Sequence, residues 1–267
     1  MKKQINPTTK SHLIRSAFVL LLLALCVIPF ALAQSGTGGS AASPTARRSG
    51  STGLSNLETT SGSPADNALW YNGDFDGRDG LSNEENTIVS QGSTYDNFII
   101  PAGQLWIITS VFSDNLLNTN VTGATWEIRT GVSAGNGGTL VASGMTTTPV
   151  VTPTGRSGFG FTEFMVEVPG ASAILAAGQY WLNVTPVGDF GGRSFNSTTS
   201  GASCVGTPCG NDGNSFWNSS FFGANFISGT DATGLSPCDF SMGVNGIAFI
   251  PRATPTPRPR LTPPPRP

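Results

Sequence analysis

Hydrophobic and polar residues alternate along residues 68–250, and this period of two limits the fold more than any other feature. The segment ATWEIRT places Trp126 and Ile128 on one side and Glu127 and Arg129 on the other. Such alternation is typical of half-buried β-strands, and no stretch of this region shows the 3.6-residue repeat of an amphipathic helix. Glycine, asparagine, aspartate and proline separate the segments. We therefore predict an all-β fold, an antiparallel β-sandwich (jelly-roll-like or Ig-like) of about eight to ten short strands.

The segment QLWIITSVFSDN is apolar on both of its predicted faces. Strict alternation assigns three residues to each face: Leu105, Ile107 and Val111 to one, and Trp106, Ile108 and Phe112 to the other. A strand that is apolar on both faces suits the middle of a sandwich or a position covered by loops.

Residues 1–33 have the pattern of a signal peptide. Four basic residues precede or border an apolar run at 17–33, which ends in Ala-Leu-Ala before Gln34. A small-x-small end is typical of a cleavage site. The run is broken by Pro29, and a membrane span usually needs about 20 apolar residues. We expect a cleaved signal, no integral membrane span in the mature chain, and a secreted or cell-surface protein.

Cleavage would remove the only histidine, His12, and all three lysines, leaving ten arginines against sixteen acidic residues. Without histidine or lysine, a Ser-His-Asp relay, a His-ligated metal, a Schiff base and a P-loop are excluded. Two carboxylates could still act as in glycosidases. No spacing nominates such a pair, so no catalytic residue is predicted. The acidic surface should repel nucleic acid and anionic membranes.

Two low-complexity arms are predicted to flank the sandwich. Residues 34–67 are mostly Ser, Gly, Thr and Ala, a composition that favours a disordered linker. Residues 251–267 contain eight prolines and four arginines, which predicts an extended, polyproline II-like spacer. A basic tail of this kind could touch anionic wall polymers.

Three cysteines remain after the signal, namely Cys204, Cys209 and Cys238. In an oxidising compartment cysteines are expected to pair, and three cannot pair completely within one chain. We expect a Cys204–Cys209 bridge that restrains a Gly/Ser/Asn-rich loop. A bridge from Cys238 to either of the other two is the alternative that the sequence leaves open.

The run from YDNFII through LWIITSVF, WEIRTGVSAGNGGTLVASG and FTEFMVEV to LAAGQYWLNV resembles exported bacterial β-sandwich domains of the choice-of-anchor type. Such domains are often followed by a PEP-CTERM anchor. The resemblance covers about residues 68–250 and implies association with the cell surface or extracellular matrix, with no catalytic residues to carry over. This chain differs because it ends in Arg/Pro repeats in place of a PEP motif, an apolar helix and a basic end.

The stretch NGDFDGRDGLSNEEN, residues 72–86, resembles a calcium loop in composition. An EF-hand loop requires glycine at its sixth position and a bidentate glutamate at its twelfth, and each possible register satisfies only part of that rule. The pattern favours an acidic, glycine-broken connection without a cofactor. The alternative is an irregular Ca²⁺ site whose candidate ligands are Asp74, Asp76, Asp79 and Glu84.

The stretch NSFWNSSFFGANF, residues 214–226, places five aromatic residues among small polar ones. If exposed, Trp217 could stack on a sugar ring, and if buried it belongs to the core.

Three functions follow in order of preference. The first is a non-enzymatic surface or matrix protein, with surface polysaccharide or matrix components as partners. The second is a carbohydrate-binding module, and the third is a carboxylate-based glycosidase.

Overall fold

The computed structural model describes residues 42–50, 68–189 and 191–251. Signal cleavage, most of the predicted linker and all but the first residue of the predicted tail lie outside these residues. The described ranges include two short helices, α1 (Ala46–Ser49) and α2 (Gly229–Thr233). The strands are β1 (Ala68–Tyr71), β2 (Phe75–Ser82), β3 (Ser93–Leu117), β4 (Val121–Thr130), β5 (Thr139–Thr146), β6 (Val150–Gly158), β7 (Phe161–Gly188), β8 (Ser194–Thr199), β9 (Phe216–Ser219), β10 (Ala224–Ser228), β11 (Asp239–Phe240) and β12 (Met242–Phe249).

All pairings between these strands are antiparallel, so the predicted all-β class is confirmed. The described residues contain twelve strands, which exceeds the predicted number. β1, β2, β9, β10 and β11 explain part of this excess, because each is too short or too polar to show a clear alternation.

β3 and β7 are long strands that serve both layers of the sandwich. Their pairing register shifts between Ile100 and Leu105, where Pro101 cannot donate a ladder hydrogen bond and Gly103 has φ +80°. Beyond the break, the C-terminal half of β3 joins the layer β1-β12-β3-β7-β6. Before it, the N-terminal half of β3 joins the layer β5-β4-β7-β3-β9-β10. β8 joins the end of β3 and pairs with β2 and β11.

The hydrophobic core lies between the two layers. Phe98, from the N-terminal half of β3, packs against Trp70 of β1 with ring centroids 5.5 Å apart. Its ring also lies 5.5 Å from that of Tyr180 on β7. These rings belong to one buried cluster that includes Trp126 and Val244. Burial of one large aromatic or aliphatic side chain contributes about 1.5–3 kcal/mol.

The predicted faces of the β3 segment at residues 104–115 are partly wrong. Trp106, Ile108 and Val111 are all buried in the core, whereas Ile107 is 38% exposed. The cause is a register irregularity between Ile108 and Ser110, since one extra residue reverses the alternation beyond it. Strict alternation cannot anticipate such a bulge.

Residues 42–50 lie within the predicted linker, yet they pack against the sandwich. Thr45 forms a bridge with Leu81, and the backbone N–H of Ser82 donates to the carbonyl of Pro44. Ala46 is completely buried. The expected disordered arm is therefore wrong for this piece, because one small apolar side chain and backbone pairing suffice to hold it.

The described residues include no helix that is long and apolar enough to cross a membrane.

Candidate functional site: a polar groove on the outer face of one layer

A groove of about 650 Å³ lies on the outer face of the layer that contains β4, β5, β7, β3 and β9. Alternate residues of a strand share a face, so residues that are paired across strands form continuous rows. One row joins Ser143, Glu127 and Asn183. The next joins Met145, Thr125 and Thr185. We call this site the outer groove; Gln91, Ser93, Tyr95, Asn218, Arg129 and Phe226 also line it.

Glu127 and Arg129 form a fixed charged pair in the outer groove. Glu127 Oε2 accepts hydrogen bonds from Arg129 Nε at 2.6 Å and from the Tyr95 hydroxyl at 3.1 Å. The Arg129 guanidinium lies over the Tyr95 and Phe226 rings, 5.9 and 5.8 Å from their centroids. The hydrogen bond that Arg129 donates to Glu127 raises the pKa of Arg129, and burial raises the pKa of Tyr95. Arg129 therefore stays cationic and Tyr95 stays a neutral donor.

The floor of the outer groove is built from polar side chains that are already hydrogen-bonded. Asn183 Nδ2 donates to the Thr94 carbonyl at 2.8 Å and to Thr185 Oγ1 at 2.9 Å. Thr185 Oγ1 lies 3.1 Å from Ser93 Oγ, and Gln91 Nε2 donates to the Asn218 carbonyl at 3.0 Å. Because the floor is internally satisfied, it is rigid before any ligand arrives.

Other groups at the outer groove are available to a ligand. Three polar groups make no hydrogen bond to another described residue. They are the side-chain amide of Asn218 and the hydroxyls of Thr125 and Ser143. Met145 is 72% exposed and supplies apolar surface beside them. The groove thus combines neutral donors and acceptors, one ion pair and an apolar contact.

The structure does not gather Asp74, Asp76, Asp79 and Glu84 into one site. Each carboxylate is paired with a different arginine, and these arginines are, in the same order, Arg156, Arg78, Arg47 and Arg193. Part of the stretch is strand β2, and Asp79 and Glu84 are buried. It is therefore not the predicted solvated connection. Nor do these four residues form a shared ligand set, since arginines already pair with their carboxylates.

Asp74 belongs to a buried charge cluster around Arg156. The Arg156 guanidinium contacts Asp74, Asp114 and Glu163. Asp114 also accepts hydrogen bonds from the Tyr71 hydroxyl at 2.9 Å and from Ser241 Oγ at 2.7 Å. Burial, with the neighbouring Glu163 charge, raises the pKa of Asp114 to about 7. One cation among three carboxylates leaves the cluster short of positive charge.

Trp217 does not offer a stacking surface. It lies on β9 with 4% of its surface exposed, and its Nε1 donates to the Ser82 carbonyl at 2.8 Å. The Phe222 ring packs 5.4 Å away. The alternative in which Trp217 stacks on a sugar ring is therefore wrong. Trp217 belongs to the core, as the other reading of this aromatic stretch predicted.

The Cys204–Cys209 disulfide is confirmed, and Cys238 is a buried free thiol. Burial raises the pKa of Cys238 to about 12.

Two features were missed by the sequence analysis. The first is the grouping of the residues of the outer groove: alternation predicts the outward positions of Glu127 and Arg129, but it does not tell which strands lie side by side. A second feature is a group of three aspartates, Asp96, Asp212 and Asp239, whose carboxylate oxygens lie within 4.8 Å of one another. Burial raises the pKa of Asp96, and it raises that of Asp239 to about 6. No local sequence signal joins residues so far apart.

No protein-family model matches this chain, and no curated protein does. Among solved structures, the chain is similar to that of the cysteine protease and lectin-like domains of Cwp84, a surface layer associated protein of Clostridium difficile, with 17% identity and a TM-score of 0.38. The match covers 68% of this chain and 36% of the other, so this chain spans about a third of its length. A likeness of this size carries no information about ligand or activity.

Proposed function

We propose that this protein is an exported, non-enzymatic surface or matrix β-sandwich protein that binds a carbohydrate chain in the outer groove. The main support for saccharide binding is the two rows of mostly polar side chains that run across β5, β4 and β7. Sugars present many hydroxyls and few charges, and their recognition needs closely spaced neutral donors and acceptors beside limited apolar surface. Asn218, Thr125, Ser143 and Met145 supply these groups, and the rigid floor lowers the entropic cost of binding.

Two carboxylates line the outer groove, Glu127 and Glu85, and the non-enzymatic part of the proposal rests on how Glu127 is held. Glycosidases need two carboxyl groups, one of which transfers a proton to the leaving oxygen. Glu127 accepts hydrogen bonds from Arg129 and Tyr95, so one of the two groove carboxylates is already engaged within the protein. The proposal of export is supported by the leader pattern of residues 1–33. Cell fractionation tests it, and a cytoplasmic pool of full-length protein would contradict it.

Binding can be tested with a matched pair of asparagine variants. Asn218 lines the outer groove, whereas Asn225 is exposed, and its amide donates to the Gly135 carbonyl. A glycan array first identifies a bound saccharide, and titration calorimetry then compares N218A, N225A and wild type. We expect N218A to weaken binding about tenfold, the effect of one lost hydrogen bond of about 1.4 kcal/mol. N225A should bind like wild type.

The same experiment distinguishes the alternatives. An array without binding, or equal affinities for wild type and N218A, would contradict the outer groove as a saccharide site. Release of reducing ends from a bound glycan would instead show a glycosidase. The surface or matrix role is tested separately, by fractionation, and does not depend on this result.

A further inference from the structure

Asp96, Asp212 and Asp239 come together from three separate segments. Asp96 lies on β3, Asp239 begins β11, and Asp212 lies in the loop that follows the disulfide. One carboxylate oxygen of each lies within 4.8 Å of the others. Two oxygens bound to one Ca²⁺ at 2.3–2.6 Å can be at most about 5 Å apart, so these separations match the span of a single calcium shell.

Among the described residues, this trio holds the buried carboxylates that lack an arginine. Six acidic residues are buried there: Asp79, Glu84, Asp96, Asp114, Glu163 and Asp239. Four of them form ion pairs with Arg47, Arg193 or Arg156. Asp96 and Asp239 form none. Asn72 and backbone N–H groups donate to them, but no cation offsets their charge, and a buried charge is costly unless it is paired or coordinates a metal. They also lie beside each other and beside Asp212, which adds repulsion.

A second, independent observation comes from Asn97. Its side chain is completely buried, and its Nδ2 lies 3.0 Å from Asp212 Oδ2. Its Oδ1, on the same amide group, has no hydrogen-bond partner. Buried polar atoms are nearly always satisfied, so an orphaned oxygen needs an explanation. A half-turn of the amide exchanges the two atoms and would direct this oxygen toward Asp212, one member of the trio.

We propose that Asp96, Asn97, Asp212 and Asp239 form a calcium site. All four offer hard oxygen ligands, and Ca²⁺ accepts six to eight such ligands in irregular arrangements, with water completing the shell. The cation would neutralise the uncompensated carboxylates and satisfy Asn97 Oδ1. It would also tie the loop that carries Asp212 to β3 and β11. This proposal is independent of saccharide binding in the outer groove.

Thermal unfolding in millimolar calcium, compared with chelator, tests the proposal. A ligand that binds only the folded state at a hundred times its Kd should raise the Tm of a domain of this size by about 5–10 °C. Asp212 is the exposed member of the trio, so D212N should fold normally. We expect D212N to lose most of the calcium-dependent rise. D231N, which changes an exposed aspartate of α2, and D76N, which changes a candidate of the acidic stretch, should both keep it.

Terbium luminescence gives a measurement that does not depend on stability. Trp181 Nε1 donates to the carbonyl of Asn214, two residues from Asp212, so a lanthanide in this site would be excited through Trp181. We expect the signal in wild type and its loss in D212N and on addition of excess calcium. A wild-type Tm unchanged by calcium, or a rise and luminescence equally strong in D212N, would overturn the proposal. An equal rise with magnesium would overturn the assignment to calcium.

Discussion

Glu84 is the most heavily bonded carboxylate of the acidic stretch, and its removal is the sharpest test of how that stretch is held. Its Oε1 accepts from Ser82 Oγ at 2.7 Å and from Arg193 Nη2 at 2.8 Å. Its Oε2 accepts from Asn86 Nδ2 at 2.8 Å and from the backbone N–H of Ser194 at 3.0 Å. The substitution E84Q keeps the shape of the side chain and removes its charge.

The expected cost follows from what E84Q leaves behind. Arg193 has 10% of its side chain exposed and would keep its charge, with the Ser43 carbonyl at 2.8 Å and the Phe195 ring at 4.6 Å as its remaining contacts. Breaking a buried ion pair by removing one partner costs about 3–5 kcal/mol. Glutamine retains one acceptor oxygen, so we expect about 3 kcal/mol. In a domain of this size that lowers the Tm by about 6–12 °C.

Glu85 provides the matched control, because it is the adjacent residue in the chain and is exposed. Calorimetry and urea unfolding of wild type, E84Q and E85Q would measure the effect, and we expect E85Q to unfold within about 2 °C of wild type. If E84Q were as stable as E85Q, the Glu84–Arg193 pair would not hold the stretch, and the account of its charges would be wrong.

Three further predictions concern buried groups. Because burial raises the pKa of Asp114 to about 7, above its unfolded value of about 4, the folded state binds the extra proton and stability should fall as pH rises between these values. D114N should show a shallower fall in urea midpoints, and an unchanged slope would contradict the assignment. Replacing Cys204 and Cys209 with serine opens a short loop and should cost about 2 kcal/mol in urea unfolding; no measurable loss would argue against a restraining bridge. Cys238 should resist thiol reagents in the native protein and react after denaturation, whereas rapid native labelling would show that its segment opens.

Local alternation and long-range pairing differ in how far they can be predicted from this sequence. The inward positions of Trp126 and Ile128 are confirmed, since a strand with one buried face must alternate. The bulge between Ile108 and Ser110 could not be predicted, because nothing in the composition of the segment marks an extra residue. The ordering of Ala46 was missed for a related reason. Its burial depends on a cluster of side chains from other elements, among them Phe75 and Phe161.

The ion pairs of the acidic residues also depend on long-range pairing that the sequence does not show. Acidic residues are visible in the sequence, but their partners are not, and the partner decides what each can do. The acidic stretch drew attention because its carboxylates are close together in the chain, yet Asp74 and Glu84 each meet an arginine from a distant segment, so no ion is needed there. Asp96 and Asp239 are separated by more than half of the described chain and meet no arginine, but they do meet each other. In a sandwich whose cations are all arginines, the place to look for a bound metal is where the arginines are missing, because there the cost of burying carboxylates is not otherwise offset.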